Sequence, residues 1–293
     1  MTWPSVRIAV VGGDEREREI ARLAAETGAD VRAYGFPDEG IPGVRPSASA
    51  ADALTDANYA LFPIPGLASD GSLYAPAAPQ PIVPDEELLG KLAPNGCVIL
   101  GTADERLRAA AARAGVRLYE YESNKELMLL RAPAIVEGAL EVAIRNTKRT
   151  IHGNDIGVVG QGTIGSLLSR TLVSLGGRVH VFARNPVQRA AASAAGAVPH
   201  GLDDLAATAP RLSLLFSTVP ARVVEQGVLE RLPGDAVVID LAAPPGGVDL
   251  DAARELRLTA VWARGLGNRA PATVGASQWL GIRRIIEAIE EER

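Results

Sequence analysis

The 293-residue chain has a single cysteine, Cys97, which excludes both an internal disulfide and a thiolate metal cluster. No metal site is expected, and a reducing compartment fits this usage. Aromatic residues make up only 4% of the chain and the formal net charge is −5, so a nucleic-acid binder's base-stacking platforms and phosphate-neutralising surface are both missing. Nucleic acid is therefore not an expected partner. No apolar run approaches the ~18 residues of a membrane span. Met1–Pro4 leads into Val6–Val11 without a basic region, so a cytoplasmic protein with no membrane partner is expected. Lysine is scarce as well, with Lys91, Lys125 and Lys148 the only ones. The arginine that replaces it runs through the whole chain as a compositional bias, so each arginine has to be judged by its position. What is abundant is apolar residues (47%) and turn formers (30 Gly, 20 Pro), enough for two buried cores with many tight turns.

Short β-rich runs alternate with Ala/Leu/Arg-rich helical stretches, the pattern of βαβ units building parallel sheets. Strands are expected near 6–11, 31–35, 58–63, 97–101 and 115–120, with helices near 14–27, 84–92 and 103–114. A second set follows, with strands near 155–160, 178–183, 211–217, 236–241 and 259–263 and helices near 163–175, 186–195, 249–257 and 272–292. The stretches 36–46 and 63–84 read as long irregular loops. The expected fold is α/β with two doubly wound parallel-sheet domains. A flavodoxin-like domain covers 1–130 and is completed by a C-terminal helix over 271–293; a Rossmann domain covers 153–270. A helical connector, one long stretch over 123–150 that Pro133 either breaks or leaves whole and counted as the link over 131–152, joins them, and a ligand is expected between the two domains.

Shifting the chain by 148 residues places Ile8, Val10, Val11, Gly12, Arg22, Gly28 and Val31 on Ile156, Val158, Val159, Gly160, Arg170, Gly176 and Val179. One strand-turn-helix-turn-strand unit is thus used twice. The turns differ in chemistry. The second reads Gly160-Gln161-Gly162-Thr163-Ile164-Gly165, follows a strand and opens a helix, which is the context a dinucleotide-binding turn requires. The first reads Gly12-Gly13-Asp14-Glu15-Arg16-Glu17, whose carboxylates would repel a pyrophosphate. Only the second copy is expected to bind a dinucleotide.

An NAD site wants a carboxylate about 20 residues beyond the glycine turn, to hold the ribose 2′-hydroxyl. This chain has Arg184-Asn185 there and Arg189 one helical turn on, so NADP is expected in preference to NAD. Ser217-Thr218-Val219-Pro220 and Asp240–Gly247 leave the carboxyl ends of two further strands, on the rim where such sheets bind ligands. Thr218, Val219 and Pro220 are expected against the cofactor; Asp240 either lines the rim or caps a local turn. No histidine follows His200, so the late-loop proton donor of a 2-hydroxy-acid dehydrogenase is missing. His152, before the cofactor strand, is either an acid/base contact or a satisfied junction histidine. Glu137 stands in an apolar stretch and is either a site carboxylate or a helix residue facing water. Asp14 and Arg16 can offer substrate a carboxylate and a guanidinium, or form a helix cap with a solvated face.

With Ile8-Ala9-Val10-Val11-Gly12-Gly13-Asp14 and Arg16, Val136-Glu137-Gly138, Thr150-Ile151-His152-Gly153, and Asp240-Leu241-Ala242 with Pro245-Gly246-Gly247, the chain resembles the A subunits of dipicolinate synthases. The order and spacing hold over nearly the whole chain. The resemblance implies a build similar to 2-hydroxy-acid dehydrogenases and adenosylhomocysteine hydrolases. It also implies a flavoprotein partner, the B subunit, together with a dihydrodipicolinate-type dicarboxylate as substrate and a role in sporulation. For such a substrate, Arg16 and Arg269 are the candidate carboxylate forks. The sequence departs from the family's pattern at Arg131-Ala132-Pro133 and over 264–269. A homo-oligomer is the expected assembly. Two other readings stay open: a self-sufficient hydroxy- or keto-acid reductase, and a non-catalytic NADP-binding regulatory subunit.

Overall fold

The structure, a computed structural model, describes residues 3–37 and 40–292. Met1, Thr2, Asp38, Glu39 and Arg293 lie outside the described residues, Asp38 and Glu39 falling within the loop expected over 36–46. The chain divides into two compact units, residues 1–131 with 270–293, and residues 132–269.

The first unit contains β1 (Arg7–Val11), α1 (Glu15–Ala25), β2 (Asp30–Tyr34), β3 (Val44–Pro46), α2 (Ala50–Leu54) and β4 (Tyr59–Leu61). It continues with α3 (Glu86–Leu89), β5 (Cys97–Leu100), α4 (Glu105–Ala114) and β6 (Arg117–Glu120). Helix α5 (Lys125–Asn146) begins in this unit and ends in the next. The second unit then runs through β7 (Asp155–Val159), α6 (Thr163–Ser174), β8 (Arg178–Phe182), α7 (Pro186–Ala194), β9 (Val198–His200) and α8 (Leu205–Thr208). It closes with β10 (Leu214–Ser217), α9 (Gln226–Leu229), β11 (Val237–Asp240), α10 (Leu250–Glu255) and β12 (Thr259–Trp262), after which α11 (Pro271–Glu291) returns to the first unit.

Each unit has one six-stranded sheet, ordered β3-β2-β1-β4-β5-β6 in the first and β12-β11-β10-β7-β8-β9 in the second. Every ladder is parallel. Counted from its own first strand, each sheet follows the same doubly wound plan, with the short edge strand β3 added to a five-strand flavodoxin-like order. Strands buried on both faces need near-continuous apolar runs, and Arg7–Val11, Cys97–Leu100 and Val237–Asp240 supply them. Alternate residues go to opposite faces: Ile8 and Val10 pack with Ile20 and Ile282, while Ala9 and Val11 pack with Leu54 and Leu107.

The repeat keeps its register where it matters for the site. Strands Arg7–Val11 and Asp30–Tyr34 recur, 148 residues on, as Asp155–Val159 and Arg178–Phe182. The buried stripe Ile20, Ala21, Ala24 of α1 recurs as Leu168, Ser169, Leu172 of α6.

Several elements differ from the sequence reading, among them the short helices α2, α8 and α9, where no helix was expected. The helix through Pro133 is unbroken; Pro133 lies on its exposed side, where water can take the Leu129 carbonyl that loses its partner. The helix runs Lys125–Asn146, close to the 123–150 reading, and its second half packs in the second unit through Val136, Ala139 and Ala143. Strands β3 and β9 were not expected. Each is three residues long and contains a proline, Pro46 or Pro199, which counts against a strand in sequence but is tolerated at a sheet edge. Among the described residues, no helix is long and apolar enough to cross a membrane.

Candidate functional site

The Gly160–Gly165 turn joins the carboxyl end of β7 to α6. Gly160 has φ +97°, and a Cβ there would fall 2.4 Å from Thr218 Oγ1 and 2.7 Å from Val219 Cγ2. A Cβ on Gly165 would fall 2.2 Å from the Gly160 carbonyl oxygen, so only glycine lets α6 close on the turn. Gly162 is different. It is exposed, nothing lies within 4 Å of where its Cβ would be, and as N-cap of α6 it offers no side chain to the helix's first N–H groups. Open space over an uncapped helix N-terminus is what a pyrophosphate needs. The Gln161 side chain is turned away, its Oε1 accepting a 3.3 Å hydrogen bond from Ser169 Oγ. Thr163 and Ile164 form the half-buried first turn of α6.

Thr218 braces the turn, its N and Oγ1 donating to the Val159 carbonyl at 2.9 and 3.0 Å. Val219 packs on Gly160, and Pro220 is exposed. At the exit of β8, Arg184 is exposed and its guanidinium has no carboxylate partner among the described residues. Asn185 caps α7 by accepting from Val187 N at 2.8 Å. Arg189 Nη1 donates to the Ala183 and Arg184 carbonyls at 2.9 and 2.7 Å, holding the Arg184 backbone in place. Of these three side chains, Arg184 is the one with no hydrogen-bond commitment among the described residues.

Asp240 is 1% exposed, and it accepts from Ala242 N at 3.0 Å and from Gly247 N and Val248 N at 2.7 and 3.2 Å. It fastens the loop that leaves β11. His152 lies elsewhere: it precedes the amino end of β7 and its ring fills the space beside Gly176, at the opposite end of α6 from the Gly160 turn. Glu137 is exposed and forms an ion pair with Arg269. Leu266, in the same short turn as Arg269, packs on Gly138. The structure thus joins these two sequence candidates to each other, Glu137 on the second half of α5 and Arg269 in the 266–269 turn, and apart from the glycine turn's own contacts.

In the first unit, Asp14 caps α1 and accepts a two-pronged contact from Arg16, Nε at 2.8 Å and Nη2 at 2.9 Å. Burial pushes against ionisation of Asp14, but these Arg16 hydrogen bonds hold its carboxyl below the ordinary value. Glu17 completes a capping box by accepting from Asp14 N at 2.8 Å. Sequence reasoning missed how deeply this group sits. Arg16 is 7% and Glu17 2% exposed, and burial pushes the Glu17 carboxyl up to about 7. Nearby Tyr121 is also buried, and its phenol is pushed up by that burial and by Glu17 and Glu122; Arg131, in turn, ion-pairs with Glu122. The missed signal is the register itself, because the 148-residue shift sets Glu17 on Gly165 and Asp14 on Gly162.

A doubly wound parallel sheet with this turn at its first crossover defines a dinucleotide-binding unit of the dehydrogenase class. Comparison with known proteins agrees. Residues 133–245 match the family model for the D-isomer specific 2-hydroxyacid dehydrogenase NAD binding domain, and residues 7–122 match that for the N-terminal domain of the dipicolinate synthase A subunit. The chain is 29% identical over 291 residues to the dipicolinate synthase A subunit of Bacillus subtilis (strain 168), covering 98% of each. The crystal structure of that subunit from Bacillus halodurans superposes with a TM-score of 0.89 at 27% identity, covering 96% of this chain and 97% of that one. The Bacillus subtilis dipicolinate synthase A chain gives 0.88 at 27% identity, covering 100% and 99%. The resemblance read in the sequence therefore holds over the whole chain: it is similar from end to end to the dipicolinate synthase A subunit, and its second unit matches a nicotinamide-dinucleotide domain of the oxidoreductase type.

Proposed function

We propose that the chain is the A-type subunit of a dipicolinate synthase, binding NADP through its second unit and working with a flavoprotein B subunit during sporulation. The observation that carries this reading is the uncapped, open turn at Gly162 together with the exposed Arg184 guanidinium at the exit of β8. Residues 160–165 fit a pyrophosphate and Arg184 fits a 2′-phosphate, which a carboxylate there would repel. When bound, the nicotinamide supplies two-electron hydride chemistry. The protein's own part is to hold the dinucleotide, with Thr218 and Val219 fixing the turn, and to bind a dihydrodipicolinate-type dicarboxylate. Arg16, oriented by Asp14, is the first-unit candidate for a substrate carboxylate; Arg269 is the second-unit candidate, released from Glu137 when substrate takes its place.

The test supplies the purified chain with a matching flavoprotein, NADPH or NADP⁺ and the lysine-pathway precursor, and reads dipicolinate formation. Dipicolinate formed only when both proteins are present supports the proposal. Turnover of 2-keto acids by the chain with NADPH alone would instead make it a self-sufficient reductase.

A further inference from the structure

Three neighbouring strands of the second unit carry a hydrogen-bonded chain that the cofactor turn does not use. Asp155 Oδ1, at the start of β7, is 2.9 Å from His180 Nε2 on β8, and His180 Nδ1 is 3.0 Å from His200 Nε2 on β9. Its proton order follows from chemistry. Arg178 Nη2 at 2.7 Å holds the Asp155 carboxyl down to about 2, so Asp155 can only accept. With both imidazoles neutral, His180 donates from Nε2 to Asp155 and accepts at Nδ1, and His200 donates from Nε2. That leaves His200 Nδ1 as the end of the chain, with no partner among the described residues.

Its place matters. His200 is the register partner of Phe182, the last residue of β8, and its ring stacks on Phe182 at 5.0 Å between centroids. Ala183 N donates to the His200 carbonyl at 3.1 Å, and Arg184 is the next residue. The half-buried imidazole therefore stands beside the strand exit where the cofactor's ribose is read.

We infer that His200 is a second recognition group for the cofactor's 2′-phosphate, joining Arg184 by taking a proton from solvent onto Nδ1 when the phosphate binds. The inference rests on the NADP reading above. A neutral Nδ1 presents a lone pair that suits a ribose hydroxyl, whereas a protonated one gives a charge-assisted hydrogen bond to phosphate. The charged and titratable groups facing His200 are His180 from β8, Asp155 beyond it on β7, Asp204 from the turn after β9 and Arg211 from the turn before β10. Burial, His180 and Arg211 hold the imidazole below its ordinary value against the pull of Asp204, so it is neutral in the free protein near neutral pH. A dianion reverses that balance.

The experiment is calorimetric titration with NADP⁺ and NAD⁺ at about pH 7.5, where a phosphate of pKa about 6 is already almost fully dianionic. Two buffers of different ionisation enthalpy give the protons exchanged. The expected result is net proton uptake with NADP⁺ and none with NAD⁺, and an NADP⁺ to NAD⁺ affinity ratio that falls several-fold to about tenfold between about pH 6.5 and 8.5. In His200→Gln, whose amide can still donate to His180, the uptake should vanish and the ratio should become flat. His200→Phe keeps the stack on Phe182 and should behave alike, which guards against one variant folding poorly. NADP⁺ binding without uptake, or uptake retained in both variants, would overturn the inference and leave the dinucleotide reading standing. Failure of both dinucleotides to bind would overturn the inference and the dinucleotide reading together.

Discussion

Glu17 stands in the first unit where Gly165 stands in the second, 148 residues on, and the two residues do opposite things to the helix they belong to. Gly165 has no side chain, so α6 closes on the Gly160 carbonyl and its N-terminus stays open. Glu17 folds its carboxylate back under Gly13, where a Cβ would lie 2.3 Å from its Cδ, and satisfies the Asp14 N–H. One helix start waits for an anion and the other contains its own.

The buried carboxyl gives a pH signature. The Glu17 carboxyl is raised from 4.5 to about 7, so the folded state holds a proton that the unfolded chain releases, and stability falls as pH rises between those values. The full effect is at most about 3.5 kcal/mol, because each tenfold change in an ionisation constant is worth about 1.4 kcal/mol. Glu17→Gln keeps the capping-box acceptor and removes the charge. Denaturant unfolding at several pH values should show wild type losing stability relative to Glu17→Gln up to about pH 7 and running parallel above it. Parallel curves throughout would mean that Glu17 ionises as an ordinary surface carboxylate.

Two glycines of the cofactor turn should separate binding from folding. Gly162→Asp meets open space, so the protein should fold normally while dinucleotide binding is abolished by a carboxylate where the pyrophosphate comes in. Gly165→Ala drives a methyl into the Gly160 carbonyl and should cost about 1–3 kcal/mol of stability. Thermal unfolding and fluorescence titration of both variants check this, and equal losses of stability would refute it. Asp14→Gly should create no second dinucleotide site, since Glu17 still occupies the first turn.

Arg184 should set the cofactor preference. A charge-assisted contact of roughly 1.5–3 kcal/mol corresponds to about a 10- to 150-fold preference for NADPH over NADH. Arg184→Asp should reverse the order. Equal affinities in the wild type, measured by fluorescence, would remove Arg184 from the site.

Arg16 should matter to substrate and not to cofactor. Arg16→Lys keeps the charge but loses the planar fork that Asp14 holds by two hydrogen bonds, so dipicolinate formation should fall about tenfold or more with NADPH affinity unchanged. Undiminished formation would return Arg16 to a purely structural partnership with Asp14.

Much of this was legible in the sequence because it rests on local rules. Buried parallel strands read as apolar runs, and the glycine turn between strand and helix carries its own geometry. The 148-residue repeat located β1, α1 and β2 on β7, α6 and β8. What stayed hidden was of two kinds. Edge strands such as Val198-Pro199-His200 carry too few residues for a period, and proline argues against them. Side-chain fates such as Arg16 turning inward to Asp14 or Arg269 pairing with Glu137 depend on which neighbours folding brings near, and no spacing rule states that; for Asp240 the sequence offered the local turn as one of two alternatives, and the fold selects it.

The open N-terminus of α6 makes the two units unequal in what supports them. The first has its balancing charge built into the chain, so its resistance to unfolding is set by sequence and pH. The second acquires its charge from solution, and mass action ties its resistance to the free dinucleotide concentration by RT ln(1 + [L]/Kd), about 2.7 kcal/mol at a hundredfold excess over Kd. A cell short of the dinucleotide would therefore hold a chain with a firm first unit and a second unit that opens and is degraded sooner, so cofactor supply would govern how long each molecule survives.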